Sequence, residues 1–353
     1  MKTILKVFLV LSILFVANSC QKEVSNTTEI PTEHVYISGW DATAGTGAIG
    51  TYWTNGFATV LPAASRMRHV NAIFVEGEDI YLAGTEYVAG KWIAKVIKNG
   101  EASIISESPN EINITSMYVS GSDVYVCGYG VNNGVGRHIA KYWKNGTVFN
   151  LGDGISDTRA NAIVVSGNDV YVAGSIINEP VFVARYWKNG IPVDLTLPLG
   201  DAGLHTIAVK GNDVYAGGYE KVGLINVARY WKNGVAVDLS DGILDATIAA
   251  ITLEGSVVHA VGAQSIDSRG HSIAIYWKDG VSTKLSNGSL GQFANAIFVK
   301  GDDVYITGNE SRMGAGDIYA TTYGKYWKNG VLVNNGVFPS TALTYATAIF
   351  VTD

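Results

Sequence analysis

From residue 33 onward, short apolar segments alternate with polar punctuation rich in Gly, Asn and Asp. Three phrases carry the rhythm. D-V-Y-V-A-G, as at Asp169–Gly174, sets its aromatic position at Tyr36, Tyr81, Tyr125, Tyr171, Tyr215, His259 and Tyr305. N-A-I-F-V sets an apolar position at Ile73, Met117, Ile163, Ile207, Ile251, Ile297 and Ile349. A-R-Y-W-K-N-G, as at Ala184–Gly190 and Ala228–Gly234, has its Trp position at Trp53, Ile97, Trp143, Trp187, Trp231, Trp277 and Trp327. These last positions lie 44, 46, 44, 44, 46 and 50 residues apart. A fixed period of this size marks a repeat architecture.

The segments predict strands. They are rich in Val, Ile, Tyr, Phe and Trp, and their Gly and β-branched residues recur too often for an amphipathic helix. K-N-G at Lys144–Gly146, Lys188–Gly190, Lys232–Gly234 and Lys328–Gly330, with K-D-G at Lys278–Gly280, predicts type I′ hairpins. A fourth apolar stretch, such as Val235–Leu239, follows each Trp phrase. Each repeat therefore reads as a four-stranded antiparallel meander, a to d. The first unit begins at strand b (His34–Gly39), and the chain ends on a spare strand a (Ala346–Val351). The last strand then completes the first sheet and removes an open edge. The expected fold is all-β: a seven-bladed β-propeller over residues 33–353, closed by its C-terminal strand.

Six of the eight Trp residues fill the Trp position. The expected role is packing between blades. Burying ~200 Å² at ~25 cal/mol/Å² stabilises by up to about 5 kcal/mol each, an upper bound. The motif resembles the extracellular repeats built on A-F-L-W-x-N-G followed by D-L-G, called HAF repeats. Ala184–Gly190 with Asp194 and Leu195, and Ala228–Gly234 with Asp238 and Leu239, carry the match. The resemblance implies a secreted or surface propeller and transfers no catalytic residue. Kelch-type propellers are similar in blade plan, but most blades here lack their Gly-Gly pair on strand b.

The first nineteen residues read as an address. Lys2 and Lys6 precede an apolar run at Val7–Ala17, too short to span a bilayer, and V-A-N-S-C ends at Cys20. This resembles the signal peptide of bacterial lipoproteins, in which the Cys is acylated and becomes the new N-terminus. Ala17 stands where Leu is usual, and Asn18 also departs from the pattern. The resemblance implies lipidation at Cys20 with more than one acyl chain, enough for stable anchoring. An ordinary secretory signal is the alternative. Residues 20–32 are polar and without apolar period, as expected of a tether. The expected location is the bacterial cell envelope, lipid-anchored at the outer membrane, on its periplasmic or surface-exposed side.

Of 25 Lys and Arg, two lie in the leader, so 23 basic groups face 31 acidic ones, a formal charge of −8. No basic stripe marks a nucleic-acid binder. With Cys20 lipidated, Cys127 has no partner, and V-Y-V-C-G against V-Y-V-A-G makes it a small core residue. No cofactor is called for. Asp153-Gly154 with Asp157, and Asp241-Gly242 with Asp245, faintly suggest Ca²⁺ but supply too few carboxylates for a definite site.

In such a meander the a–b and c–d turns share one face, uniform and tight. The b–c and d–a loops share the other, and these vary: Trp40–Gly50, Tyr129–Arg137, Ser175–Val181, Ala263–Gly270 and Asn309–Gly324 between b and c, Pro62–Val70, Ser106–Ile114 and Leu197–Leu204 between d and a. Loops on a rigid scaffold carry recognition. Trp40, Tyr129 and Tyr219 each follow the strand-b Gly, Trp92 lies outside the Trp position, and Tyr319, Tyr323 and Tyr345 add aromatics. Stacking on a glycan or protein is one reading; capping the core is the other. A polar series two residues before the Ile position, Asn71, Thr115, Asn161, His205, Ala249, Asn295 and Thr347, is expected to ring the channel mouth, with His205 its titratable member. Arg66, Arg68 and His69 share one d–a loop, as an anion site or as scattered charge.

No G-x-S-x-G, H-E-x-x-H or P-loop occurs. The function expected is therefore a lipid-anchored envelope module that binds a glycan or envelope protein through the loop face. The candidate ligand-binding residues are Trp40, Trp92, Tyr129, Tyr219, His205, Arg68 and His69. The alternative is a polysaccharide hydrolase or lyase with its site at the channel mouth, resting on fold analogy.

Overall fold

The computed structural model describes residues 33–42, 47–131, 136–178, 181–197, 200–267, 271–288, 291–312, 321–333 and 344–353. The leader, Cys20, the tether and Tyr319 lie outside the described residues.

Among the described residues the strands form seven four-stranded antiparallel sheets. Six run in chain order; blade four, for instance, is Asp157–Ser166, Asp169–Asn178, Val181–Lys188 and Ile191–Asp194. In blade one the last strand, Thr344–Thr352, pairs with the first, His34–Asp41, followed by Ile49–Thr54 and Phe57–Val60. Each strand a touches the strands a of both neighbouring blades, so the ring closes. The structure is the expected seven-bladed propeller. A single 3₁₀ turn at Ala63–Ser65 is the only helical element among the described residues.

The turn chemistry is as the sequence dictates. Asn189 has φ 53° and Gly190 φ 82°, the two positive values a type I′ turn needs. Asn189 also ties two turns together: its Oδ1 accepts from the Val170 N–H (2.8 Å) and its Nδ2 donates to Asp169 Oδ1 (2.7 Å). Lys188 pairs with the same carboxylate at 2.8 Å and lies over the Tyr171 ring. The D-x-Y and K-N-G phrases are thus one unit, and its conserved-looking polar residues are occupied on the uniform face. Equivalent Asn–Asp bonds join Asn99 to Asp79, Asn145 to Asp123, Asn233 to Asp213 and Asn329 to Asp303.

The six side chains at the Trp position are fully buried, and each sits in a cluster that spans two blades. Trp187 packs with Ala160, Ile163 and Val165 of its own blade against Tyr125, Cys127 and Ala140 of blade three. Ile97 takes the same place at the interface of blades one and two. Cys127 is sealed in this core, and burial pushes its thiol up to about 12.

One feature runs through every blade and was not visible as such in the sequence. Strand a carries a β-bulge, at Asn71, Thr115, Asn161, His205, Ala249, Asn295 and Thr347 in turn. The bulged residue reaches the next blade. Asn71 Nδ2 donates to Ile114 O (2.5 Å), Thr115 Oγ1 to Ala160 O (2.9 Å) and Asn161 Nδ2 to Leu204 O (2.7 Å). His205 Nδ1 donates to Ile248 O (2.9 Å), Asn295 Nδ2 to Ala346 O (2.7 Å) and Thr347 Oγ1 to Val70 O (2.7 Å). The polar series is therefore a hydrogen-bonded girdle stitching the blades, rather than an open polar lining. Ala249 alone has no side-chain donor, which leaves the step from blade six to Ala294 of blade seven unbridged. Ala249→Asn is expected to close it and raise stability by about 1 kcal/mol, the usual worth of one such bond. A lower melting temperature for this variant would show that the gap has no room for the amide.

Candidate functional site

Strands b and c run on past the strand-b Gly toward the loop face, as at Asp213–Val222 with Ile225–Lys232. Much of what the sequence assigns to b–c loops is thus paired strand. Trp40, Tyr129 and Tyr219 consequently stand on rigid strands, each opposite a residue of strand a: Tyr345, Asn113 and Gly203. The rim of the ring is built from such cross-strand pairs.

The rim has two sides. Over blades seven, one and two it is aromatic. Trp40 stacks on Tyr345 (centroids 4.2 Å apart, 6° between planes), His69 lies 4.9 Å from Trp40, and Phe293 lies 6.2 Å from Tyr345. These rings are half-buried against one another. Arg68 stays exposed, as does Arg66, and their loop forms no convergent site. Trp92 sits well away, in the outer hairpin of blade two beside Tyr87 (5.2 Å), against the core between blades two and three. The structure does not bring Trp92 to the other candidates, and Arg68 acts only on its neighbour His69.

Over blades three to five the rim opens into a cavity of about 320 Å³. Thr115 and Tyr129 come from blade three, Arg159, Asn161, Ser175 and Phe182 from blade four, and Gly203, His205 and Tyr219 from blade five. Three sequence candidates, Tyr129, Tyr219 and His205, meet here. Gly203 occupies the rim position that carries Arg159, Asn113 or Tyr345 in other blades, and the Tyr219 ring lies over it, 3.1 Å from where a Cβ would stand. The Tyr129 hydroxyl accepts from Asn113 Nδ2 (3.0 Å), and the Arg159 guanidinium lies 5.5 Å from the ring centre. His205 lies 5.8 Å from Tyr219. A carbonyl only accepts, so the bond to Ile248 O fixes the proton on His205 Nδ1 and leaves Nε2 an acceptor. Burial lowers the His205 pKa and raises that of Tyr219, so both are neutral near pH 7. Among the described residues the lining contains no carboxylate.

Arg159 is the residue the sequence reading missed. It stands two places before the girdle residue Asn161, where the sequence analysis names no candidate. Comparing that position across blades (His69, Asn113, Arg159, Gly203, Thr247, Phe293, Tyr345) shows one Arg and one Gly side by side.

A second cavity of about 320 Å³ lies between blades two and three toward the uniform face. Its walls are core side chains such as Val96, Val126 and Trp143, and its polar neighbours Lys98 and Asn145 are already paired with Asp79 and Asp123. It has no convergent polar group of the kind that fixes a ligand. The two Asp-Gly loops are likewise occupied: Asp153 Oδ1 accepts from Ile155 and Ser156 N–H groups, and Asp241 Oδ1 from Ile243.

Burial lowers the pKa of His69, His205 and His259 below the ordinary 6.5, with the Arg68 charge adding to the effect at His69. Between 6.5 and those lowered values the unfolded chain binds protons that the folded chain refuses. Stability therefore falls as pH drops through this window. The thermal midpoint is expected to decline between pH 7.5 and 5.5. His205→Asn keeps a girdle donor and should flatten part of that slope; an unchanged slope would remove His205 from the account. The carboxylates whose pKa is lowered by Lys and Asn partners, such as Asp169, act in a separate window below their ordinary 3.8.

Fold and rim together define a seven-bladed β-propeller whose loop face carries a ligand-sized opening. No family model matches the chain, and neither does any curated protein. Solved structures resemble the chain at low identity. The acylaminoacyl peptidase of Pyrococcus horikoshii is 11% identical, with a TM-score of 0.51 over 86% of this chain and 50% of that one. The chain thus spans half the length of that peptidase. Kuenenia stuttgartiensis hydrazine synthase (10% identical, TM-score 0.49, 89% and 46%) and a GH43 endo-arabinanase from Bacillus licheniformis (9%, 0.34, 74% and 95%) are more distant in shape.

Proposed function

We propose that this propeller is a binding module of the bacterial cell envelope, anchored by lipid at Cys20, that takes a glycan or protein partner through its loop face. The observation that carries the reading is the convergence of Tyr129, Arg159, His205 and Tyr219 from three blades on one cavity. On the opposite face the recurring Asp, Lys and Asn side chains are already engaged in turns. The described chain begins at Glu33 on that uniform face, held by the Tyr305 hydroxyl (2.6 Å) and Lys328 (3.0 Å). HAF-type repeats fit the same picture through their surface setting. Aromatic walls with a few fixed polar groups suit recognition.

Glycan-array binding of the full-length protein in detergent tests this. Tyr129→Ala combined with Tyr219→Ala is expected to lower binding about thirtyfold, two stacking contacts at ~1 kcal/mol each. Trp92→Ala should leave it unchanged. Binding that depends on Trp92 and ignores the tyrosines would refute the location.

A further inference from the structure

We propose that the cavity of blades three to five takes a carboxylate-bearing ligand of single-sugar size, an acidic monosaccharide unit, with its carboxylate on Arg159. The inference deepens, and rests on, the reading of the loop face as a binding surface.

The arginines of this region are not alike. Arg185 grips Asp194 with Nε (2.5 Å) and Nη2 (3.0 Å). Arg229 holds both Asp238 and Glu220. Arg159 makes no such bond. Its Nε is shut off from solvent and has no hydrogen-bond partner. The nearest carboxylate oxygen, Asp157 Oδ1, lies 3.9 Å from it, beyond hydrogen-bond reach. That Asp oxygen is itself unpartnered, its twin being taken by His138 at 3.1 Å. The Tyr129 ring steadies the guanidinium while its donors stay unspent. With Nε closed off, the two terminal Nη groups present the planar pair of N–H donors that matches a carboxylate bidentately.

Charge sets the ligand class. Among the described residues the lining holds one cation, Arg159, and no carboxylate, which favours a single negative charge over a phosphate. The remaining groups suit hydroxyls and a flat ring face. Neutral His205 offers Nε2 as acceptor, and Asn161, whose Nδ2 is committed to Leu204 O, keeps its carbonyl oxygen. Tyr129 and Tyr219 supply rings. A volume of about 320 Å³ is at the lower end for small-ligand sites, ~300–1,000 Å³, so one sugar unit fits and a chain would run out through the open face.

Calorimetric titration of the full-length protein in detergent tests the assignment with four probes: D-glucuronate, D-glucose, acetate and inorganic phosphate. D-Glucuronate is expected to bind saturably, about tenfold or more tighter than D-glucose, acetate or phosphate, because each lacks the ring or the single carboxylate. Arg159→Met should abolish that preference, and Arg159→Lys should restore only part of it, with melting temperatures confirming that both variants fold. Gly203→Met should block the cavity while leaving Arg159 in place. No saturable binding of D-glucuronate, equal affinity for D-glucose, or an Arg159→Met variant that binds as well as the parent would each overturn the carboxylate assignment. If D-glucose binds and loses affinity with Tyr129→Ala but not with Arg159→Met, the binding surface stands and only the ligand class falls. If array binding also ignores Tyr129 and Tyr219, the surface itself is wrong.

Discussion

Deleting Ala346–Asp353 is expected to abolish cooperative unfolding of the propeller. The segment is strand a of blade one, and it faces two interfaces at once. Ala346, Ile349 and Val351 pack with Trp53 against Tyr305 and Tyr326 of blade seven. Ala348 and Phe350 pack from the other side against the cluster of blade two. Burying side chains such as Ile349 and Val351 contributes ~1.5–3 kcal/mol each, before any strand hydrogen bond is counted. The net stability of a folded domain is only ~5–15 kcal/mol. Two girdle bonds vanish as well, those of Thr347 to Val70 and of Asn295 to Ala346. The strand His34–Asp41 would become an unpaired edge, prone to pair with another chain. Circular dichroism melts and size-exclusion chromatography should show a broad or absent transition and oligomers. Adding the peptide Thr344–Asp353 in trans should restore a sharp melt. A monomer with the parental melting temperature would mean that the ring does not depend on its clasp.

The closure was legible because one strand is missing at the start and one is spare at the end. Strand type and turns were legible because Asn-Gly, β-branched residues and Trp recur with the period, and each has a local physical cause. The site was legible only in part. Tyr129, Tyr219 and His205 could be singled out because they interrupt or follow repeated positions. Arg159 could not, since its importance lies in what it lacks: an acidic partner of the kind that Arg185 and Arg229 have. Pairing across strands is not written in spacing. Trp92 illustrates the converse. It breaks the repeat conspicuously, yet it lies on strand c of blade two, radially away from the axis. Sequence equivalence fixes height along a blade better than distance from the centre. The girdle was seen as a polar series but not as a set of bonds, because only the bulge turns those side chains onto the neighbouring carbonyls.

The bulge also explains why strand b must carry Gly, and here a one-atom change should have a large effect. Gly174 faces the backbone of Arg159 just before the bulge, and an added Cβ would fall on the Arg159 carbonyl oxygen. Gly39, Gly84, Gly128, Gly218, Gly262 and Gly308 meet the equivalent carbonyls of their own blades. Backbone atoms flanked by paired strands cannot give way as a flexible side chain can. Gly174→Ala is therefore expected to destabilise by about 3 kcal/mol or more, at the upper end of overpacking costs. The sign is opposite to that of Gly→Ala at an unstrained site, which usually stabilises by ~0.4–1 kcal/mol through the unfolded chain. Gly291 is the control: its added Cβ meets nothing closer than Ser311 at 3.9 Å, and no positive φ constrains it. Chemical denaturation of both variants separates the two cases. Equal and small effects would show that the bulge relaxes freely. A large loss at Gly174 alone would mean that strain at the girdle is transmitted to Arg159, so that any folded Gly174→Ala protein should also bind its anionic probe more weakly.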